Sequence, residues 1–267
     1  MNNRFSFKRL LLLVQKQFSE NVKLYLYGTL ALLGLLAIVM FLWTQIGGNT
    51  YKEETLFNLY LIGLYIAGGV FANYSFGMLS NKDKGIYWLT LPASHGEKLV
   101  CAIFYNLIVF TIIYTLFYFV VSQGAVAYIK GLIKHDPFKY HYETINWNDD
   151  DINDEVTVFT YAFFAVQAFY LLGSVGIKRF SFVLTTAIGA LLIIGFIFFM
   201  QYLSASFSKN SLSFNIINAR SYSNEGNVYH EYSISRFASD TIIFLAKFIW
   251  APFFWLVTWF KLKEKEI

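Results

Sequence analysis

Charged residues and cysteine are both scarce in this chain of 267 residues. Charged side chains make up only 14% of the sequence, whereas soluble domains carry about a quarter. Hydrophobic residues make up 57%, and they are gathered in long blocks. The single cysteine, Cys101, excludes an intramolecular disulfide. The composition is therefore that of a membrane protein and not of a soluble domain.

Several motifs of enzymes are missing as well. The sequence contains no G-x-x-x-x-G-K-[ST] phosphate loop and no Gly-Lys dipeptide, so the chain is not expected to hold the phosphates of ATP. It contains neither H-E-x-x-H nor G-x-S-x-G, the usual signals of a metalloprotease and of a serine nucleophile. We therefore predict a protein that is not itself an enzyme and that uses no cofactor.

One acidic stretch has the beginning of a calcium loop. Asp149-x-Asp151-x-Asn153 has the right spacing, but Asp154 stands where the turn requires glycine and Thr160 where the bidentate glutamate belongs. The alternative is solvated acid near the start of a helix, which the helix dipole favours. No metal site is predicted.

The apolar blocks predict an all-α polytopic membrane protein with six transmembrane helices, because about 20 apolar residues cross a hydrocarbon core of about 30 Å. Backbone polar groups in lipid must be paired within the segment, so the blocks are expected to be helical. The predicted spans are Leu24–Ile46, Leu56–Leu79, Leu99–Val121, Val156–Val175, Phe180–Leu203 and Thr241–Phe260.

The positive charges predict the orientation of these spans. Thirteen of the 21 Lys and Arg residues fall on one side, seven on the other, and Lys247 within the last span. Because cytoplasmic loops are enriched in Lys and Arg, both termini are expected in the cytoplasm. This orientation predicts two outer loops, at 122–155 and 204–240. The second is a candidate for a hairpin around Asn224–Gly226.

The segment before the first span predicts an amphipathic interfacial helix over residues 3–19. Phe7, Leu11, Val14 and Phe18 recur at helical spacing on one face, while the basic residues lie off it. Such a helix suits the inner interface among anionic headgroups. The alternative is a basic lead-in that only orients the first span.

The inner loop between spans two and three has clear local signals. Ser94 and Glu97 have the spacing of a capping box at the start of span three. Pro92 disfavours helix at Leu91, so the chain is expected to break there. An ordinary cytoplasmic loop with a well-capped helix is the alternative interpretation.

The sequence of this loop resembles a motif of a known protein family. The segment Leu91-Pro92-Ala93-Ser94-x-x-Glu97-Lys98 is similar to the LPxSxxEK signature of ABC-2 type transporter permeases. The final segment Trp259–Ile267, with its aromatic pair followed by alternating Lys and Glu, is similar to the family's frequent carboxyl-terminal pattern. The chain departs from the family before span six, where Phe207–Ser235 is polar and short apolar re-entrant helices are common in the family.

The resemblance implies a permease subunit that forms a dimeric pathway, with a second copy or a similar permease, and that is driven by a separate cytoplasmic ATPase. The mixed charges of the inner loop are then the expected ATPase-docking surface. Its members are Lys82, Asp83, Lys84, Glu97 and Lys98. Solvated charges that only set topology are the alternative.

Four polar or charged residues fall inside the predicted spans and are candidates for function. They are Asn73, Asn106, Gln167 and Lys247. Lys247 alternatively snorkels to the outer interface, and Asn73, beside Gly68 and Gly69, alternatively marks close helix packing.

The resulting hypothesis is the membrane subunit of an ATP-driven exporter in a bacterial inner membrane, without nucleic acid as a partner. The substrate is open among drug-like molecules, lipids and glycans. The rival hypothesis is a membrane anchor or assembly subunit that transports nothing and holds a cytoplasmic or cell-surface partner. The scarcity of polar groups in the spans and the two sizeable outer loops favour this rival.

Overall fold

The computed structural model describes most of the chain in full atomic detail. It covers residues 5–46, 48–77, 82–147, 150–177, 179–207, 212–214, 218–222, 229–233, 241, 244–245 and 247–265. Within these ranges, only the backbone is described for residues 82–84, 89, 150–151, 200, 203–207 and the three strands between 212 and 233.

Helices dominate the described chain. In chain order the elements are α1 (Phe7–Ile46), β1 (Thr50–Lys52), α2 (Glu53–Ser75), α3 (Lys82–Leu89), α4 (His95–Ile103), a π-helical segment (Phe104–Val109), α5 (Phe110–His135), β2 (His141–Glu143), α6 (Asp150–Gly176), α7 (Ser181–Phe207), β3 (Leu212–Phe214), β4 (Asn218–Tyr222), β5 (Tyr229–Ser233) and α8 (Trp250–Glu264).

Five of the described helices are long and apolar enough to cross a membrane, which supports the prediction of an all-α integral membrane protein. They overlap the first five predicted spans and run over Phe7–Ile46, Glu53–Ser75, His95–His135, Ile152–Gly176 and Ser181–Phe199. The predicted spans Leu56–Leu79 and Phe180–Leu203 extend beyond their helices, whereas the other three lie within them. The sixth predicted span, Thr241–Phe260, is described only in part. Its helix α8 begins at Trp250, so Pro252 lies in the first turn. Proline is tolerated there because the N–H groups of the first turn have no partner within the helix.

The predicted boundary between an interfacial helix and span one is not a helix boundary in the structure. α1 runs without interruption for 40 residues, since no proline or glycine stands between Phe7 and Tyr27. At 1.5 Å per residue it is about 60 Å long, roughly twice the thickness of the hydrocarbon core. Only part of α1 can therefore lie in the hydrocarbon.

Helices extend into both ends of the predicted outer loop 122–155. The third long helix, from His95 to His135, continues 14 residues past Val121, with Ala125 and Ile129 still buried. It ends just before Pro137. Lys134 and His135 lie in its last turn, where the helix dipole favours basic residues. α6 begins at Asp150, six residues before the predicted start of span four.

Short strands form two small sheets. β1 and β2 pair in parallel, with Tyr51 opposite Tyr142. β3, β4 and β5 form an antiparallel sheet in which Tyr222 pairs with Tyr229. These antiparallel strands flank the predicted hairpin turn, while Asn224–Gly226 itself lies outside the described residues. β3 adds a third strand to this sheet that the sequence did not predict.

The bundle has two ends, which we name by residues that lie there. At the Glu97 end, the start of α1 and the end of α8 both pack against α4, since Leu10 contacts the Cys101 cluster and Leu262 the Leu99 cluster. At the Tyr51 end, the Tyr51 hydroxyl donates to the Thr44 carbonyl over 2.9 Å. Burial raises the pKa of Tyr51, so this hydroxyl stays a neutral donor that fixes the α1–α2 connection.

Tyrosine hydroxyls join the helices through main-chain carbonyls. The hydroxyl of Tyr118 on α5 donates to the carbonyl of Leu56 on α2, and Tyr114 donates to that of Tyr60 over 3.0 Å. Tyr65 on α2 donates to the carbonyl of Phe159 on α6 over 2.6 Å. Such bonds matter between apolar helices, because lipid leaves little hydrophobic driving force for their association.

We expect the variant Tyr118→Phe to lower the free energy of unfolding by about 1 kcal/mol, the usual net value of one such hydrogen bond. Unfolding in mixed micelles with increasing denaturing detergent measures the change. Tyr27→Phe is the matched control, because Tyr27 is 68% exposed and should change little. Equal effects of the two variants would show that the Tyr118 hydroxyl does not hold α5 to α2.

Candidate functional site

The start of α4 is capped as the sequence predicts. The backbone N–H of Glu97 donates to the Ser94 Oγ over 3.2 Å, and the Ser94 N–H donates to Glu97 Oε2 over 2.8 Å. The chain also breaks around Pro92, since α3 ends at Leu89 and α4 begins at His95. The capping box and the helix break of the predicted inner loop are confirmed.

Glu97 also binds the start of α1, which the sequence did not predict. Its Oε1 accepts from the Ser6 backbone N–H over 2.6 Å and from Arg9 Nη2 over 2.9 Å. The Glu97 side chain is fully buried, while that of Arg9 keeps 31% of its exposure. We call Ser6, Arg9, Ser94 and Glu97 the Glu97 cluster. The Glu97 carboxylate accepts hydrogen bonds from backbone N–H groups at the starts of both α1 and α4, which would otherwise lack partners. Hydrogen bonds to an ionised acceptor of this kind are charge-assisted.

Lys98 lies on the other side of α4, against α3. Its ammonium stands 4.8 Å from the centroid of the Trp88 ring, which is a cation–π distance. Trp88 in turn packs edge-on against Phe76, with centroids 5.3 Å apart. Lys98 therefore links α4 to α3 and to the end of α2.

The sequence placed Glu97 and Lys98 on an exposed docking surface, and the structure corrects this placement. Glu97 is 0% exposed and Lys98 is 1% exposed. Each has a partner within the protein, since Glu97 binds Arg9 and Lys98 lies over Trp88. These two side chains join helices and do not face a partner protein. The docking role of the loop remains a prediction for its other members.

α3 is attached to α1 as well. The Tyr87 hydroxyl donates to Glu20 Oε1 over 3.0 Å, and Lys16 Nζ lies 4.7 Å from the centroid of the Tyr87 ring. Lys16 also forms an exposed ion pair with Glu20 at 3.7 Å. Exposed ion pairs contribute at most about 1 kcal/mol. This contact is therefore weaker than the buried one through Trp88 and Lys98.

The outward surface of α3 is apolar where its side chains are described. Ile86 is 62% exposed and Tyr87 is 53% exposed. The backbone places Lys82, Asp83 and Lys84 in the first turn of α3, but their side chains lie outside the described residues. α3 is thus a short helix that touches α1, α4 and Phe76 just after α2, and it leaves Ile86 exposed.

The two segments that carry the family resemblance meet in space. Leu262, from the final helix α8, is fully buried in one cluster with Trp88 and Leu99. Trp259 packs against the same cluster. Residues more than 150 positions apart in the sequence therefore form one surface at the Glu97 end.

The polar candidates inside the spans do not form one site. Asn73 Nδ2 donates to the Ser181 Oγ over 2.9 Å, which joins α2 to α7 and agrees with a packing role. Asn106 accepts from the Ser75 hydroxyl over 2.9 Å. Gln167 is buried against Gly68. Lys247 stands apart, with its ammonium 5.8 Å from the centroid of the Tyr161 ring.

Metal ligands are not grouped in the part of the chain that the structure describes. Within that part, no three His, Cys, Asp or Glu side chains lie close enough together to hold a metal ion. Cys101 is buried, and its thiol donates to Gln17 Oε1 over 3.3 Å. This cysteine therefore packs between α1 and α4.

Comparisons of the chain with protein families, with curated proteins and with solved structures give no match. The class of the protein, an all-α integral membrane protein, therefore rests on the composition and on the five long apolar helices.

Proposed function

We propose that this chain is the membrane permease subunit of an ATP-driven exporter of the ABC-2 type, working as a dimer with a separate cytoplasmic ATPase. The observation that carries the proposal is the arrangement of α3. This short helix contacts α1 through Tyr87 and α4 through Trp88, and it leaves Ile86 exposed. A partner that moves α3 would therefore move two long helices together.

The Glu97 cluster supports a mechanical role for this end of the bundle. Because Glu97 of α4 also binds the start of α1, we expect the two helices to move as one body. The end of α8 packs against the same body through Leu262. Motion received at α3 would thus reach three helices without passing through a flexible loop.

The proposed topology has six spans with both termini in the cytoplasm of a bacterial cell and with the chain in the inner membrane. The start of α1 and the end of α8 lie at the same end of the bundle, which supports an even number of crossings. The positive-inside rule places that end in the cytoplasm.

We expect cysteines introduced near Asp150 and near Lys263 to differ in their accessibility to an impermeant thiol reagent. The first should react from outside intact cells and the second only after the membrane is opened, because more Lys and Arg flank the Lys263 side. The buried native Cys101 provides the background level. The reverse pattern of labelling would overturn the orientation.

Purification in mild detergent tests the proposed function directly. The tagged full-length chain should bring down a nucleotide-binding subunit in stoichiometric amount, identified by mass spectrometry, together with ATP hydrolysis. A stoichiometric partner without ATP hydrolysis would favour the rival membrane anchor. Purification of the chain without any stoichiometric partner would contradict both.

We expect the variant Ile86→Asp to weaken ATPase retention on the order of tenfold, because burying an isoleucine contributes about 1.5–3 kcal/mol and 1.4 kcal/mol is tenfold in affinity. Phe138→Asp is the matched control, since Phe138 is 95% exposed near the Tyr51 end. The bound ATPase per permease is measured after washing. Equal retention by the two variants would exclude α3 as the docking surface.

A further inference from the structure

The end of α1 and the start of α2 enclose a groove at the Tyr51 end of the bundle. Both helices pack against α5, where Leu36 of α1 and Leu56 of α2 join one apolar cluster. The groove between them has a volume of about 470 Å³. Ligand sites in proteins have volumes of about 300–1,000 Å³, so the groove is large enough to hold part of a lipid. We call it the Trp43 groove.

The lining of the Trp43 groove changes from apolar to polar along its length. Besides Trp43, the apolar part comes from the last two turns of α1 and the second turn of α2, as Val39, Leu42, Ile46 and Leu59. The polar part lies where the chain turns from α1 into α2, as Thr50, Lys52 and Thr55. Because both helices are long and apolar enough to cross a membrane, the apolar part faces the hydrocarbon and the polar part the headgroups.

Trp43 forms a fixed wall of this groove. Its ring lies edge-on to that of Tyr51, with centroids 5.4 Å apart and an angle of 72° between the planes. Tyr51 is itself buried, and its hydroxyl is held by the Thr44 carbonyl. The wall is therefore in place before a ligand arrives, which lowers the entropic cost of binding. Tryptophan is also typical of the membrane–water interface.

The polar end of the groove carries one charge of each sign. The Lys52 ammonium lies 3.5 Å from Glu143 Oε2, and the two side chains are 55% and 59% exposed. An exposed ion pair of this kind is weak, so both groups can still bind a ligand. An anionic headgroup would match Lys52 but would meet Glu143, with Glu53 and Glu54 close by in the first turn of α2. A headgroup with a phosphate and a primary ammonium matches both signs.

We propose that the Trp43 groove binds a zwitterionic phospholipid with a primary ammonium, of the phosphatidylethanolamine type. One acyl chain lies along the apolar part of the lining, the phosphate faces Lys52, and the ammonium faces Glu143. Because all lipid tails are about as apolar as the groove, the headgroup charges decide which lipid is retained. The site is independent of the proposed transport function and applies to any role of the chain.

Native mass spectrometry of the purified, delipidated full-length protein tests the proposal. The protein is titrated with phosphatidylethanolamine or with phosphatidylglycerol of identical acyl chains, and the affinity for the first bound lipid is measured. Phosphatidylethanolamine should bind about fivefold more tightly, the effect of one additional exposed ion pair. Equal binding, or tighter binding of phosphatidylglycerol, would overturn the proposal, and this comparison needs no variant to fold.

The variant Val39→Trp tests whether the groove is the site of binding. The larger side chain fills the space of the acyl chain, so the preference for phosphatidylethanolamine should be lost. Ile38→Trp is the matched control, because Ile38 is the preceding residue of α1, is 61% exposed and does not line the groove. It should keep the preference. The same preference in both variants would show that the lipid binds elsewhere.

The variant Glu143→Gln tests the assignment of the headgroup. Without this carboxylate, the affinity for phosphatidylethanolamine should fall to that for phosphatidylglycerol. Asp136→Asn is the matched control, because it loses the same charge at an exposed position just after α5. It should leave the fivefold preference intact. An unchanged preference in Glu143→Gln would overturn the contact between the ammonium and Glu143, and with it the proposed ligand.

Discussion

The variant Glu97→Ala is expected to lower the free energy of unfolding by about 3 kcal/mol, the lower end of the range for breaking a buried ion pair. The lower end applies because Arg9 keeps 31% of its exposure and is partly solvated when left alone. The change also removes the acceptor for the Ser6 and Ser94 N–H groups. Denaturing-detergent titration of the purified protein measures the loss.

Glu20→Ala is the control for this experiment, because Glu20 is 46% exposed and its ion pair with Lys16 is at the surface. It should cost less than about 1 kcal/mol. A loss at position 97 no larger than the loss at position 20 would show that the Glu97 cluster does not hold α1 to α4. The proposed transmission of motion from α3 would then lack a rigid connection between α1 and α4.

The variant Gly173→Leu is expected to lower the free energy of unfolding by about 3 kcal/mol, the upper end of the cost of overpacking a core. A Cβ at Gly173 would stand 2.0 Å from Thr185 Oγ1 and 2.9 Å from Thr185 Cβ. Thr185 on α7 is 1% exposed and β-branched, so few rotamers allow it to withdraw. The clash should separate α6 from α7.

Gly195→Leu serves as the matched control on α7. No described atom lies within 4 Å of a Cβ at Gly195, so the new side chain meets open space. Leucine also favours the helix by roughly 0.8–1 kcal/mol over glycine. The same titration should show no loss at Gly195. Equal losses at both glycines would mean that α6 and α7 do not pack closely through Gly173.

The local part of the candidate site was predictable from the sequence. The capping box joins Ser94 to Glu97 across three residues, and the break at Pro92 depends on its immediate neighbour. The contacts of Glu97 with Ser6 and Arg9 were not predictable, because 91 and 88 residues separate the partners. The burial of Lys98 was missed although Trp88 is close in sequence, because their contact requires α3 to fold back against α4. A charged residue in a loop-like segment looks exposed until its partner helix is known.

Helix boundaries show a similar division. The positions of the first five spans follow from the apolar blocks alone, because each block must pair its backbone internally in lipid. The extension of α5 beyond its block was missed, and so was the continuity of the predicted helix 3–19 with span one. Ala125 and Ile129 lie past the predicted end of span three, yet both are buried in the structure. Packing against neighbouring helices, and not hydropathy, carries α5 to His135.

The sequence by itself determined the membrane environment, the helical class and the capped start of α4, since composition and local spacing decide these. Tertiary structure alone decided that Glu97 joins two helix starts, that Lys98 lies over Trp88, and that α8 packs beside them. It also decided that the Gln167 amide points at Gly68. Each of these depends on which helix faces which, and that choice is made by the packing of surfaces far apart in the chain.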